Sequence, residues 1–161
     1  MAELLVFLQP LSLTCQRLSW SLPPIKKNGE KLSGLDLASQ TEGKSRRAVQ
    51  NFPQGTVIVE KGPHTRIWTS GQDEGYQLDV GGPYQATGGM GDTLAGMIAG
   101  FAGQFPQVSL YERVVVATYL HSAIAEDLSK EAYVVLPTTI SQEIPKWMKK
   151  WSDNSNENVG K

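Results

Sequence analysis

The sequence is poor in the residues that build staples and metal cages. Its 161 residues include one cysteine, Cys15, and two histidines, His64 and His121. A single cysteine forms no internal disulfide, which excludes a stapled secreted scaffold. These three residues lie far apart and fit no zinc-ligand spacing, so no protein-built metal site is expected. Charge of neither sign is in excess. Fifteen Lys and Arg against sixteen Asp and Glu leave a formal net charge of -1, which gives no bulk electrostatic reason to expect nucleic acid or an anionic membrane as partner. Long hydrophobic runs are missing too, since no stretch approaches the roughly 18 to 20 apolar residues of a bilayer span. Leu4 to Leu8 is apolar, but no basic segment precedes it and Gln9-Pro10 ends it, so it does not read as a signal peptide. The expectation is a cytoplasmic protein with one domain's worth of core, with hydrophobic residues at 40% of the composition.

Residues 1–30 have little periodicity. Leu4 to Leu8 could form a buried strand, but Pro10, Pro23 and Pro24 punctuate the segment and Lys26-Lys27-Asn28-Gly29 reads as a solvated turn. Patterning improves from Leu32. Ser39-Gln40-Thr41-Glu42 can cap a helix carrying Ala48, Val49 and Phe52, which Pro53 ends. Thr56 to Val59 is a β-branched run expected to be buried on both faces. Thr65 to Thr69 reads as an alternating strand and Tyr76 to Val80 as a short third one, with antiparallel pairing across the short connections. Leu94, Met97, Ile98 and Phe101 recur at helical spacing, and Gly96 and Gly100 on that helix suggest close packing against a sheet. Ser109 and Glu112 form a capping-box pattern for a helix reaching about Ser129. A last amphipathic segment surrounds Ile140 to Trp147, and the polar run after Trp151 reads as a disordered tail, 151–161.

One segment carries a chemical signal. Seven of the 16 glycines fall between Gly81 and Gly100, and Thr87-Gly88-Gly89-Met90-Gly91-Asp92 runs straight into a helix. Glycines bring backbone amides close to a ligand with no Cβ in the way. A helix start adds unpaired N–H groups and the positive end of the dipole. Together they make an anion cradle, with Asp92 placed to exchange a proton with a hydroxyl. The spacing is neither GxGxxG nor a P-loop. A purely structural strand-to-helix turn with Asp92 as an ordinary cap is the competing reading. Other candidates are similarly two-sided. Lys61 is a solvated strand end or a phosphate contact, and His121 a packed structural histidine or a ligand contact. His64 reads as a surface residue in a turn, and Met90 as a packing group.

Ala86-Thr87-Gly88-Gly89-Met90-Gly91-Asp92-Thr93-Leu94-Ala95-Gly96 closely resembles the signature of the ADP/ATP-dependent NAD(P)H-hydrate dehydratases, ribokinase-like proteins formerly called carbohydrate kinases. Leu32 to Leu35, Glu60-Lys61-Gly62, His64 to Ile67, Tyr119 to Ala123 and Leu136-Pro137-Thr138 extend the likeness. The resemblance implies an α/β fold, the C-terminal portion of a ribokinase-like layered α/β/α architecture, over residues 31–150. It implies Asp92 as the catalytic carboxylate near a hydrated nicotinamide ring. The implied cofactor-binding set is Lys61, Thr87, Gly88, Gly89, Met90, Gly91 and His121, with Gly89 to Gly91 around the phosphates and His121 on the adenine side. ADP or ATP with Mg2+ would support dehydration of NADHX or NADPHX, nucleotide cleavage turning a poor leaving group into a good one.

The sequence departs from the family in three ways. It matches only the C-terminal half of the family's length, so it is expected to be a truncated form whose exposed surface a second copy could cover. Ile25 and Asn28 stand where relatives carry the histidine and acid of a Pro-His-x-x-Glu motif, and Gly82 stands where Asn is common. A ribokinase-like small-molecule kinase, with Asp92 activating a substrate hydroxyl, and a non-catalytic remnant of the family are the alternatives.

Overall fold

The structure, a computed structural model, describes residues 5–8, 47, 49–62, 64–72 and 74–159. The expectations for Pro24 to Asn28, Leu32 to Leu35, Ser39 to Glu42 and Ala48 lie outside the described residues. Four strands, β1 (Leu5–Leu8), β2 (Val57–Glu60), β3 (Arg66–Thr69) and β4 (Tyr76–Gln77), form one sheet in sequence order, each antiparallel to the next. Three helices follow: α1 (Met90–Gln104), α2 (Leu110–Leu128) and α3 (Pro137–Val159). A short 3-10 turn at Pro83–Gln85 precedes α1. β1 is the one regular piece described in the segment expected to lack order, and it pairs Leu5 with Glu60 and Leu8 with Val57.

The period of two along a strand decides which side chains meet the helices. Val57 and Val59 project to one face with Ile67, where they pack with Leu78, with Leu94 and Ile98 of α1, and with Val114 and Ala117 of α2. Ile58 and its register partner Trp68 project to the other, against Val49 and Phe52. Both faces of β2 are therefore covered, as its β-branched run predicts. β3 departs from its expected alternation, because Ile67, Trp68 and Thr69 are all buried. The cause is tertiary: β3 lies inside the sheet between the same two layers.

A second core joins the three helices. Met90 and Met97 of α1, Leu120 and Ile124 of α2, Val135 and Ile140 pack together. Each fully buried aliphatic side chain of this kind contributes about 1.5–3 kcal/mol. The start of α2 is the predicted capping box. The Ser109 hydroxyl accepts from the Glu112 N–H at 3.2 Å, and the Glu112 carboxylate accepts from the Ser109 N–H at 3.1 Å.

Two expectations are corrected. Gly96 does not mediate close packing among the described residues, since a Cβ there would meet none of them within 4 Å. At Gly100 the nearest atom is Gln104 Nε2, at 3.9 Å. The packed face of α1 runs through Leu94, Met97, Ile98 and Ala102, and these glycines lie off it. The segment after Trp151 is not a disordered tail as far as Val159, because α3 continues through it. Trp151 contacts the rings of Tyr119 and Trp147, at 6.1 and 6.2 Å, which anchors the turn past Trp147. Lys149 pairs with Asp153 one turn further. Among the described residues no helix is long and apolar enough to cross a membrane.

Candidate functional site

The glycine-rich segment is held at several points and open between them. Its first tie is the Gly81 N–H, which donates to the Glu126 carboxylate of α2 at 3.2 Å. Gly82 is extended, and a Cβ there would come 2.5 Å from the Tyr84 ring. The Tyr84 ring edge thus fills the space that a side chain at position 82 would take. Val135 N–H donates to the Tyr84 carbonyl at 3.2 Å, and the Thr87 hydroxyl donates to the Val135 carbonyl at 3.0 Å. These bonds tie the segment to the α2–α3 connection. Tyr84 is half-buried, and that burial with the nearby Glu126 charge raises its phenol pKa.

The turn then enters α1 through Gly89, whose φ of 82° lies in the left-handed region that favours glycine. A side chain there would also meet the Pro137 ring at 3.4 Å. Gly89 supplies no capping side chain, and its carbonyl accepts from the N–H and hydroxyl of Thr93, at 3.0 and 3.2 Å. The Met90 N–H makes a long bond to the Thr87 carbonyl at 3.4 Å. Among the described residues, the N–H groups of Gly88, Gly89, Gly91 and Asp92 donate to no backbone carbonyl. Gly88, Gly89 and Asp92 are exposed, and no described residue lies within 4 Å of a Cβ built on Gly88. Free donors at the positive end of a helix, with open space before them, are what an anion needs.

Met90 behaves as expected of a packing group: it is 1% exposed and lies in the helical core. Beneath it sits His121 of α2, also 1% exposed. The ring makes a backbone hydrogen bond with Met90, yet its Nε2 is buried with no partner among the described residues. Desolvation and the neighbouring Lys61 charge push its pKa down to about 3. Lys61 immediately follows β2 and is half-buried, and burial lowers the pKa of its ammonium.

The structure therefore places His121 against Met90 under the turn, with the Lys61 charge acting on its imidazole and Thr87, Gly88, Gly89, Gly91 and Asp92 along the turn itself. His64 is exposed, as expected of a turn residue. Glu60 stays on the sheet and accepts from the Trp68 indole N–H at 3.0 Å. Glu126, Tyr84 and Gln85 were not singled out by sequence. Gln85 Nε2 is a second buried polar atom without a partner among the described residues. The spacing of Ser122 and Glu126 on α2 was the available signal for Glu126. Nothing local marked Tyr84 or Gln85. Among the described residues no group of three or more His, Cys, Asp or Glu is gathered as a metal cage.

Comparison with known proteins places this geometry in a family. The family model described as NAD(P)H-hydrate dehydratase matches residues 21–146. An ADP-dependent (S)-NAD(P)H-hydrate dehydratase of Streptococcus pneumoniae is 66% identical over 128 residues, which are 80% of this chain and 44% of that protein. The Staphylococcus aureus protein of the same name is 44% identical over 142 residues, 88% of this chain and 48% of its own. Among solved structures, a hypothetical protein of Streptococcus mutans superposes with a TM-score of 0.73 at 51% identity, over 78% of this chain and 44% of that one. A ribokinase-like superfamily protein of Enterococcus faecalis gives a TM-score of 0.70 at 42% identity, over 78% and 42%. The fold is the expected α/β one, shared with part of a ribokinase-like protein. The chain spans less than half the length of these relatives. It belongs to the NAD(P)H-hydrate dehydratase family.

Proposed function

We propose that residues 31–150 form the nucleotide- and catalysis-bearing part of an ADP-dependent NAD(P)H-hydrate dehydratase, acting on NADHX and NADPHX. One observation carries the reading. The uncapped start of α1 presents the N–H groups of Gly88, Gly89, Gly91 and Asp92, which donate to no backbone carbonyl among the described residues, at an exposed turn. Such a cradle fits the phosphates of a nucleoside diphosphate. The Mg2+ expected with the nucleotide would be coordinated through its phosphate oxygens.

The chemistry follows from where charge develops. Hydroxide is a poor leaving group at C6 of the hydrated ring. Transfer of the terminal phosphoryl group of ADP to that hydroxyl leaves AMP and makes phosphate the leaving group. The C6–O bond then breaks with its electron pair going to phosphate. Loss of the C5 proton restores the ring double bond. Asp92, exposed beside the donors, accepts the hydroxyl proton as the phosphoryl group arrives. The turn's N–H groups hold the phosphoryl oxygens while negative charge moves through them. Lys61 supplies the positive charge opposite.

The names of the relatives support ADP, and ATP would enter the same cradle by its phosphates. A cytoplasmic location belongs to the same reading. So does self-association, which sedimentation of the purified chain measures. Turnover decides the function: the chain incubated with NADHX and ADP should form NADH and AMP. A phosphorylated small molecule formed without NADH would instead indicate a kinase. A folded chain that does neither would be a non-catalytic family member.

A further inference from the structure

From Ala86 to Gly89 the turn has one side chain that can tether it. Thr87 alone is polar there, since Ala86, Gly88 and Gly89 offer no donor or acceptor beyond the backbone. The Thr87 hydroxyl donates to the Val135 carbonyl at 3.0 Å, across 48 residues of sequence. Its own carbonyl accepts the Met90 N–H at 3.4 Å, where α1 begins. Val135 is a fixed point for such a tether. Its side chain is buried in the helical core with Met90 and Ile140, while Val134 and Leu136 on either side are exposed. Its N–H donates to the Tyr84 carbonyl at 3.2 Å. Among the described residues no backbone N–H donates to the Val135 carbonyl, so the Thr87 hydroxyl is what satisfies it.

We infer that Thr87 is a positioning residue, the latch that holds the backbone donors from Gly88 to Asp92 in place, and not a phosphate contact. A hydroxyl has one proton to donate, and a carbonyl only accepts. The Thr87 proton is therefore committed to Val135, and toward an anion its oxygen presents lone pairs alone. What the bond supplies is order. Gly88 and Gly89 follow at once, and glycine has the least restricted backbone of any residue. Gly88 is exposed, and no described residue lies within 4 Å of a Cβ built on it, so packing does not hold it. Gly89, with φ of 82°, has the Pro137 ring on its C-terminal side. Without a tether before them, the two glycines would sample many conformations and their amides would not converge on one point. The Thr87–Val135 bond removes that freedom before a ligand arrives, which leaves less ordering to oppose binding.

The nucleotide part of this inference rests on the function proposed above, whereas the latch itself does not. Backbone nitrogen relaxation in the nucleotide-free chain therefore tests it first. Thr87→Val keeps the shape of the side chain and removes the hydroxyl, and Thr87→Ser keeps the hydroxyl. In Thr87→Val the Gly88 and Gly89 amides should gain fast motion, while Leu110 to Arg113 at the start of α2 stay as rigid as in the parent. Thr87→Ser should match the parent throughout. Gly88 and Gly89 amides that stay rigid in Thr87→Val overturn the inference, and so does equal loosening at Leu110 to Arg113, which would mark a general loss of structure. ADP affinity gives the second readout. Thr87→Val should bind ADP about tenfold more weakly and Thr87→Ser within about twofold of the parent. Lost affinity with a rigid nucleotide-free turn would make the hydroxyl a phosphate contact. Parental affinity with a loosened turn would deprive the latch of its positioning role, and either result overturns the inference. If the parent chain binds no ADP, the function proposed above fails and the relaxation data alone decide whether Thr87 latches the turn.

Discussion

The starts of α1 and α2 face the same physical problem and answer it differently. Every helix begins with four N–H groups that have no carbonyl one turn back. At α2 the chain answers from within, where Ser109 and Glu112 satisfy donors reciprocally and Arg113 bonds back to the Ser109 carbonyl at 3.4 Å. At α1 the cap is Gly89, with no side chain to offer, and the donors face open space. The first arrangement stabilises a helix. The second forgoes that stabilisation and leaves the donors for something else. An uncapped start alone would be a weak argument for a ligand. Here a buried histidine nitrogen with no partner among the described residues lies beneath it.

The largest effect that sharpens this contrast is catalytic. Asp92→Asn keeps the shape of the α1 start and removes the proton acceptor, so NADH formation from NADHX should fall by about 10²- to 10⁴-fold with the melting curve little changed. Equal turnover in parent and variant would remove Asp92 from the chemistry. Next comes Gly89→Ala, which forces a side chain into a left-handed conformation against Pro137. It should cost about 1–3 kcal/mol in chemical denaturation and weaken ADP binding with it.

The buried histidine gives a pH signature. Its pKa is about 3 folded and 6.5 as a model group, so between those values the unfolded chain binds the extra proton. Stability from this group is present above pH 6.5 and lost as pH falls, with a slope of up to about 1.4 kcal/mol per pH unit. Denaturant titrations from pH 7 to 5 should show that slope in the parent and a flatter line in His121→Gln. The smallest effect belongs to the other helix. Ser109→Ala should cost roughly 0.5–2 kcal/mol of stability and leave ADP affinity unchanged. A change in affinity would break the contrast between the two helix starts.

What could be read from sequence was what is decided locally. The capping box at Ser109, the apolar face through Leu94, Met97 and Ile98, and the β-branched strand at Val57 each depend on neighbours within a few residues. The glycine-rich turn and Asp92 were legible for the same reason. Errors arose where a distant element decides. Thr65 to Thr69 reads as half-exposed until Val49 and Phe52 cover the far face of the sheet. Gly96 and Gly100 suggest a close neighbour, but the packed face of α1 passes them by. The polar run after Trp151 looks unstructured until Trp151 meets Tyr119. Within the site, Lys61 and His121 were each named for separate reasons. Their juxtaposition needs α2 packed on β2, and no spacing along the chain reports that.

In the proposed function the N–H groups at the start of α1 receive a nucleotide's phosphates. Backbone amide NMR during an ADP titration reads those groups one by one. Saturable shifts are expected at Gly88, Gly89, Gly91 and Asp92, abolished in Lys61→Met, while the amides of Leu110 to Arg113 at the start of α2 stay in place. Amides of the glycine-rich turn that do not move with ADP, or that move no more than those of α2, would contradict it.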